Sequence, residues 1–185
     1  MIEEIQGATN KKMDGTLELL KKDLAAVRTG RASAEILAPI TVDYYGAATP
    51  LNQLASLNTP DPQMITVTPF DRTTVKEIEK AIMTSDLGLN PSSDGTMIRV
   101  PIPVLTEERR KELVKHVKKL GEEGKVALRN VRRDANEKLK KLEKEKEISQ
   151  DQERDAHDTI QSATDDHVKR VDELVKQKET ELMTV

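Results

Sequence analysis

Three arginines in one short stretch are the residues of this chain whose type and spacing best suit a chemical task. Arg129, Arg132 and Arg133 stand three and four residues apart in the string RNVRRDAN, at residues 129–136. On a helix, residues with this spacing share one side. A row of guanidinium groups held on a rigid helix suits the phosphate backbone of a nucleic acid. The row therefore predicts a phosphate-binding surface.

The apolar residues around this row predict which side of the helix is buried. They recur at threes and fours, as in an amphipathic helix, here one of about 40 residues. At about 100° per residue, Lys125 and Arg129 lie about 120–160° around the helix axis from Leu113, the first residue of the apolar stripe. We therefore expect Lys125 and the arginine row to lie opposite the packed seam. The apolar stripe consists of Leu113, Val117, Leu120, Ala127, Val131, Ala135 and Leu142.

Catalytic, metal and nucleotide sites are not predicted. The chain has no cysteine, which excludes disulfides and thiolate zinc sites and fits a reducing cytoplasm. His116, His157 and His167 form no His-Glu-x-x-His pattern. The segment from Gly88 to Gly95 lacks the Lys-Ser/Thr that follows a phosphate loop. We expect a protein that is not an enzyme and holds no cofactor or metal, so that a partner meets any need for a nucleotide.

The formal net charge of −3 conceals an uneven distribution. Residues 106–146 contain 15 Lys and Arg against 9 Asp and Glu, whereas residues 147–185 contain 5 against 11. This split predicts one helix with positive potential beside an acidic neighbour. Two interpretations stay open. Either the basic helix offers a surface to a polyanion, or the two helices merely attract each other when they pack.

The scarcity of aromatic residues indicates the kind of nucleic acid. Tyr44, Tyr45 and Phe70 are the only three, so a platform for stacking single-stranded bases is not expected. A structured RNA recognised by its shape and phosphates is favoured instead.

The N-terminal residues lack the apolar core of a signal peptide, and no apolar run approaches the roughly 20 residues that cross a bilayer. We expect a cytoplasmic protein.

Periodicity divides the chain into three parts. Residues 2–28 have helical spacing, residues 34–104 contain all eight prolines and short β-rich runs, and helical spacing returns after residue 105. Gly30 is the expected C-cap of the first helix and Thr106 the expected N-cap of the second. Ser149 and Gln152 predict a capping box for the last helix. The middle part has predicted strands at Ile40–Tyr45, Leu54–Leu57, Met64–Thr68 and Met97–Val100 and a predicted helix at Thr73–Thr84.

Helix length limits the architecture. A helix of about 40 residues is about 60 Å long, whereas a compact globule of this chain length is only about 40 Å across. The spacing therefore predicts an elongated α+β protein: a three-helix bundle of residues 1–29 and 106–185 with an inserted small β/α/β domain of residues 30–105. Two segments cross between them, and we expect a hinge there rather than rigid packing. The hinge residues are Thr29, Gly30, Arg31, Pro101, Pro103 and Val104.

Several longer strings stand at intervals along the chain. They are VRTGRAS (27–33), DYYG (43–46), DLGLNP (86–91), IRVPIPVLTEERR (98–110), RNVRRDAN (129–136) and KEIS (146–149). In type and order they resemble the ribosome recycling factor family of bacteria, and the resemblance extends from end to end. It implies a three-helix bundle with an inserted β/α/β domain on a two-strand hinge, L-shaped like a tRNA.

The same resemblance implies a role. A factor of this kind binds the ribosome after termination and, with elongation factor G hydrolysing GTP, separates the subunits so that the mRNA is released. The bundle is implied to hold large-subunit rRNA, while the inserted domain faces the small subunit and elongation factor G, and the factor is implied to be a monomer. The residues expected to bind rRNA are Arg129, Arg132 and Arg133, with Lys125 beside them and Arg28 and Arg31 as weaker candidates.

Two details qualify this expectation. Arg132 should lie about 40 Å from the hinge, so that the arginine row and the Arg28–Arg31 group are separate patches. Val104 stands where the family often has a second consecutive proline, which predicts a looser returning segment. Two alternatives to recycling stay open: a generic protein that binds structured RNA without elongation factor G, and a scaffold that binds only proteins.

Overall fold

The structure, a computed structural model, describes residues 1–184, and these form two compact units. We call residues 1–28 and 107–184 the helical unit and residues 29–106 the inserted unit. The fold is α+β, as predicted. The elements are α1 (Ile2–Ala25), β1 (Thr41–Tyr44), β2 (Ala47–Pro50), α2 (Leu51–Leu54), β3 (Ala55–Asp61), β4 (Met64–Pro69), α3 (Val75–Thr84), β5 (Ser92–Ser93), β6 (Ile98–Pro101), α4 (Glu107–Lys144) and α5 (Gln150–Met183), with short 3₁₀ turns at Ala34–Leu37 and Arg72–Thr74.

Three long helices form the helical unit, and α4 runs antiparallel to the other two. Ile5 of α1 is partly buried and packs against a buried cluster that contains Leu139 of α4 and Ile160 of α5. Leu20, which comes later in α1, lies beside Gly124, which comes earlier in α4 than Leu139. The two helices therefore run in opposite directions. A short turn reverses the chain between α4 and α5. None of the helices in the described part of the chain is apolar over a stretch long enough to cross a membrane.

The buried stripe of α4 is displaced around the helix from the predicted apolar stripe, although Val117 and Ala135 belong to both. Its centre is Leu128, which is fully buried and lies about 60° around the helix from Leu113. The predicted stripe leaves out Leu128 and Leu139, which are buried, and includes Ala127, which is only half-buried. It also leaves out the buried Gly121 and Gly124, because glycine adds little to a hydrophobic pattern. The buried residues of α4 are Val117, Gly121, Gly124, Leu128, Ala135 and Leu139.

The close approach of α4 and α5 depends on Gly121. A Cβ atom at Gly121 would lie 2.6 Å from Cγ2 of Val175 on α5, well inside van der Waals contact. Val175 is branched at Cβ and therefore stiff at χ1, so it has little freedom to move away. A Cβ atom at Gly124 would lie 3.5 Å from Cδ2 of Leu20, which is an ordinary contact. The two glycines are a matched pair for testing the packing.

We expect Gly124→Ala to stabilise the protein and Gly121→Ala to destabilise it. Both changes gain about 1 kcal/mol of helix propensity. Gly121→Ala also overpacks the seam, which typically costs about 1–3 kcal/mol. The free energy of unfolding, measured by urea denaturation and circular dichroism, should fall in the order Gly124→Ala, unaltered protein, Gly121→Ala. Equal stabilisation by both alanines would contradict the close packing at Gly121.

The inserted unit contains two antiparallel sheets and an amphipathic helix. β1 pairs with β2, and the second sheet has the strand order β3-β4-β6-β5. α3 buries Val75, Ile78 and Ile82, which recur at helical spacing. They share one core with Ile65 and Val67, the inward residues of β4. This core is separate from that of the helical unit.

The predicted elements of the inserted unit are largely present. β1, β3, β4 and β6 lie at the four predicted strands, and α3 begins at Val75 because a 3₁₀ turn occupies Arg72–Thr74. β2 and β5 are absent from the prediction. β5 has only two residues, and β2 shows no alternation of buried and exposed residues. Pairing with a neighbouring strand, rather than composition, makes them strands.

The helix ends confirm one prediction and correct another. Oγ of Ser149 accepts a hydrogen bond from the N–H of Gln152 at 3.1 Å, and Oε1 of Gln152 accepts one from the N–H of Ser149 at 2.9 Å. The capping box is confirmed. The expected C-cap at Gly30 is wrong, because α1 ends earlier, with Ala26 as its C-cap in a right-handed conformation.

The segments that connect the two units are both held by the turn between β3 and β4. On the outgoing side, the N–H of Ala32 donates to the carbonyl of Pro62 at 2.7 Å. On the returning side, the N–H of Ile102 donates to the carbonyl of Gln63 at 2.8 Å. Each segment is therefore anchored to the inserted unit immediately beyond the crossing.

The two connecting segments also touch each other. Gly30 is buried at a φ of +75°, and a Cβ atom there would lie 3.0 Å from Cγ of Leu105. A side chain at Gly30 would therefore be strained by the backbone and by the contact. Val104, the departure from the family pattern, is exposed. That these segments act as a hinge stays a prediction.

Candidate RNA-binding surface

The arginine row of α4 divides into two exposed residues and one at the seam. Measured around α4 from Leu128, Arg132 lies about 40° away, Arg129 about 100° and Arg133 about 140°. Arg129 and Arg133, which we call the outer pair, are exposed, and neither forms an ion pair with a residue that the structure describes. Arg132 is half-buried. The expected position away from the seam is therefore correct for the outer pair and wrong for Arg132.

Arg132 is held by a hydrogen bond between helices. Its Nη1 donates to Oε1 of Gln161 on α5 at 3.0 Å. Nε2 of Gln161 in turn donates to Oδ1 of Asp165, one helical turn further along α5, at 2.9 Å. The guanidinium uses one edge for Gln161, and no other residue that the structure describes forms a hydrogen bond or an ion pair with it. Its remaining N–H groups can reach a ligand at the edge of the seam.

Lys125 is paired with carboxylates and only 18% of its side chain is exposed. Its Nζ lies 2.6 Å from Oδ1 of Asp172 on α5 and 3.4 Å from Oε1 of Glu122 on α4. The hydrogen bond to Asp172 raises the pKa of Lys125, and burial opposes this rise only in part. The expected position of Lys125 opposite the seam is wrong. Its role in binding phosphate stays a prediction. The two carboxylates lower the attraction of Lys125 for a phosphate, because they offset its charge.

An exposed strip of positive charge runs along α4 beside the outer pair. Its residues lie about 80–160° around the helix from Leu128, and they extend over about 50 Å of helix. Only two carboxylates, Glu108 and Glu122, share this sector of the described helix. A strip of this kind attracts a polyanion over its whole length. This cationic flank consists of Lys111, Lys115, Lys118, Arg129, Arg133, Lys140 and Lys144.

Arg28 and Arg31 are not brought together with the outer pair within either unit. Both are exposed, Arg28 in the helical unit and Arg31 in the inserted unit. Leu20 lies beside Gly124. Because α1 and α4 are antiparallel, Arg28 lies beyond this point towards one end of the helical unit and Arg132 towards the other. Arg28 and Arg132 are therefore about 20 Å or more apart along the helical unit. They belong to separate patches.

The partners on α5 are the residues that sequence reasoning missed. The i,i+4 spacing of Gln161 and Asp165 is a recognisable signal for a bond within one helix. Their position opposite Arg132 depends on the register between two helices, which local spacing does not contain. The same holds for His167, a buried seam residue whose Nε2 lies 2.9 Å from Oδ1 of Asp14 on α1. Among the described residues, no three His, Asp or Glu side chains are grouped so that they could hold a metal.

These features define a class of protein: an α+β protein whose three-helix unit presents an exposed cationic flank suited to an RNA backbone. The particular family follows from comparison with known proteins. Residues 20–183 match the family model described as ribosome recycling factor. The chain belongs to the ribosome recycling factor family.

Relatives are similar over the full length of the chain. The ribosome-recycling factor of Bacillus subtilis (strain 168) is 53% identical over 185 residues and that of Geobacillus thermodenitrificans (strain NG80-2) 51%, each match covering 100% of both chains. A solution structure of the ribosome recycling factor has a TM-score of 0.78 and 39% identity, covering 100% of this chain and 98% of that one. A further match, with a TM-score of 0.64 and 46% identity over 99% of both chains, comes from models for the T. thermophilus ribosome recycling factor and the E. coli elongation factor G bound to the E. coli post-termination complex.

Proposed function

We propose that this protein recycles ribosomes. It binds the ribosome that remains after termination and, with elongation factor G and GTP, promotes dissociation into subunits and release of the mRNA. The observation that carries the proposal is family membership with full-length relatives about half identical to it. A similar chain bound to a post-termination complex together with elongation factor G supports the choice of partners.

The cationic flank of α4 is the proposed contact with large-subunit rRNA. The outer pair stands one helical turn apart, with Cβ atoms about 6 Å from each other, so the two guanidiniums can bind neighbouring phosphates. Phosphate contacts position a protein on RNA without reading its sequence and weaken steeply with salt. Arg28 and Arg31 form a second, weaker contact, and Lys125 contributes little because Asp172 already offsets its charge.

The inserted unit is the proposed lever. It faces the small subunit and elongation factor G, and the segments at residues 29–31 and 101–105 are the proposed hinge. Their hydrogen bonds to Pro62 and Gln63 and the packing of Gly30 on Leu105 limit how far the segments can stretch. A push from the partner on the inserted unit would therefore reach the helices instead of being absorbed by slack chain.

The protein is proposed to have no enzymatic activity and no cofactor of its own. GTP is bound and hydrolysed by elongation factor G. The factor is proposed to act as a monomer on cytoplasmic ribosomes. A second candidate function, binding of structured RNA without elongation factor G, is favoured by one observation: Arg129 and Arg133 are exposed and form no ion pair with a described residue. Such guanidiniums can bind phosphates whatever the base sequence.

A subunit-dissociation assay separates the two functions. Purified protein, elongation factor G and GTP are added to vacant ribosomes, and light scattering follows their separation. Recycling predicts a fall in scattering that requires all three additions. The alternative predicts no fall, together with comparable affinity for ribosomes and for unrelated structured RNA.

The same assay tests the lever. Two glycines inserted after Gly30 should abolish dissociation while ribosome binding remains near that of the unaltered protein, because the slack absorbs the push. A matched variant carries two glycines after Gly95, an exposed turn within the inserted unit. Normal dissociation with the lengthened Gly30 segment would refute the lever without refuting recycling.

The outer pair should account for part of the salt dependence of ribosome binding. Arg129→Ala and Arg133→Ala should each weaken binding and reduce the slope of log K against log salt by about one, because each removes one phosphate contact. Lys138→Ala is the matched control. Lys138 is exposed on α4 and lies about 80° around the helix from Leu128, in the direction opposite to the outer pair. Binding is measured by co-sedimentation at several salt concentrations. Equal slopes for all four proteins would contradict the proposed contact.

A further inference from the structure

Arg132 is held at the seam by a neutral side chain, although the helix that holds it is acidic. Residues 147–185 contain 11 Asp and Glu against 5 Lys and Arg. Lys125, another cation of α4 that reaches α5, is paired with the carboxylate of Asp172 at 2.6 Å. Arg132 instead donates to the amide oxygen of Gln161 at 3.0 Å. The partner of Lys125 is negatively charged, whereas the partner of Arg132 is neutral and leaves the charge of the guanidinium uncompensated.

The amide of Gln161 has one orientation that satisfies both of its neighbours. A guanidinium only donates hydrogen bonds and a carboxylate only accepts them. Oε1 must therefore face Arg132, and the NH₂ group must face Asp165, which accepts at 2.9 Å. The amide stands between the cation and the anion and is bonded to both. A glutamate at this position has no N–H to offer Asp165, and methionine offers neither a donor nor a strong acceptor.

We infer that Gln161 is a positioning residue for RNA binding: it fixes the Arg132 guanidinium beside the outer pair and keeps its positive charge available to a phosphate. The inference rests on the proposed contact between α4 and rRNA. A carboxylate at position 161 would hold Arg132 just as firmly, but its negative charge would offset the positive charge that attracts the phosphate. Asp165 is kept one side chain away from the guanidinium, so it does not pair with Arg132 directly.

The test compares ribosome binding of Gln161→Glu and Gln161→Met over a range of salt concentrations. Gln161→Glu should weaken binding about tenfold and reduce the salt slope by about one, since one phosphate contact is lost. Gln161→Met should weaken binding about two- to fivefold with the slope unchanged, because Arg132 stays charged but loses its fixed position. Gln177→Glu, at an exposed position of the same helix, is the control for added negative charge and should change binding less than about twofold.

A double-mutant cycle distinguishes positioning from a purely structural role. In an Arg132→Ala background, Gln161→Glu should have no further effect on affinity or slope, because the residue it acts through is absent. An unchanged slope in Gln161→Glu, or an effect that persists in full without Arg132, would overturn the inference. No loss of binding in Arg132→Ala alone would overturn it as well, since there would be no contact to position. The dissociation assay with unaltered protein reports separately on whether the protein recycles ribosomes.

Discussion

The rotation of α4 about its own axis is the constraint on which the rest of the surface depends. It is set by a buried stripe that includes Gly121 and Gly124, where the absence of side chains lets the neighbouring helices approach closely. With Leu128 at the centre of the seam, Arg132 lies at its edge and the outer pair faces solvent. A rotation of about 60°, as the apolar spacing alone predicts, would bring Arg132 and Lys125 to the surface as well.

On the proposed function, the uneven charge of the two long helices serves both purposes that the sequence left open. Attraction between helices explains Lys125, whose Nζ is bonded to Asp172 and whose pKa is raised by that bond. It does not explain Arg129 and Arg133, which have no carboxylate partner among the described residues. In the proposed complex, the excess of negative charge on α5 would repel an RNA backbone and so favour an approach from the cationic flank of α4.

The sequence predicts the elements well and the contacts between them poorly. Helix periodicity, the capping box at Ser149 and the four main strands depend on local patterns, and the structure contains them. The predicted seam of α4 is displaced because it leaves out Leu128 and Leu139 as well as two buried glycines. Gln161 and Asp172 are missed because their partners lie on another helix, and a helical register is decided by packing over many residues. The Gly30 cap is wrong because the last turn of α1 closes on backbone bonds before the glycine is reached.

Whether the cationic flank is the side of α4 that meets RNA can be measured directly, because the chain has no cysteine and a single one can be introduced cleanly. Lys140→Cys and Lys138→Cys each remove one exposed lysine of α4, and the two positions lie about 160° apart around the helix. An iron chelate attached to each cysteine cleaves nearby RNA when the protein is bound to ribosomes. Strong rRNA cleavage from position 140 and weak cleavage from position 138 is the predicted result. Equal cleavage from both, or stronger cleavage from position 138, would contradict the account.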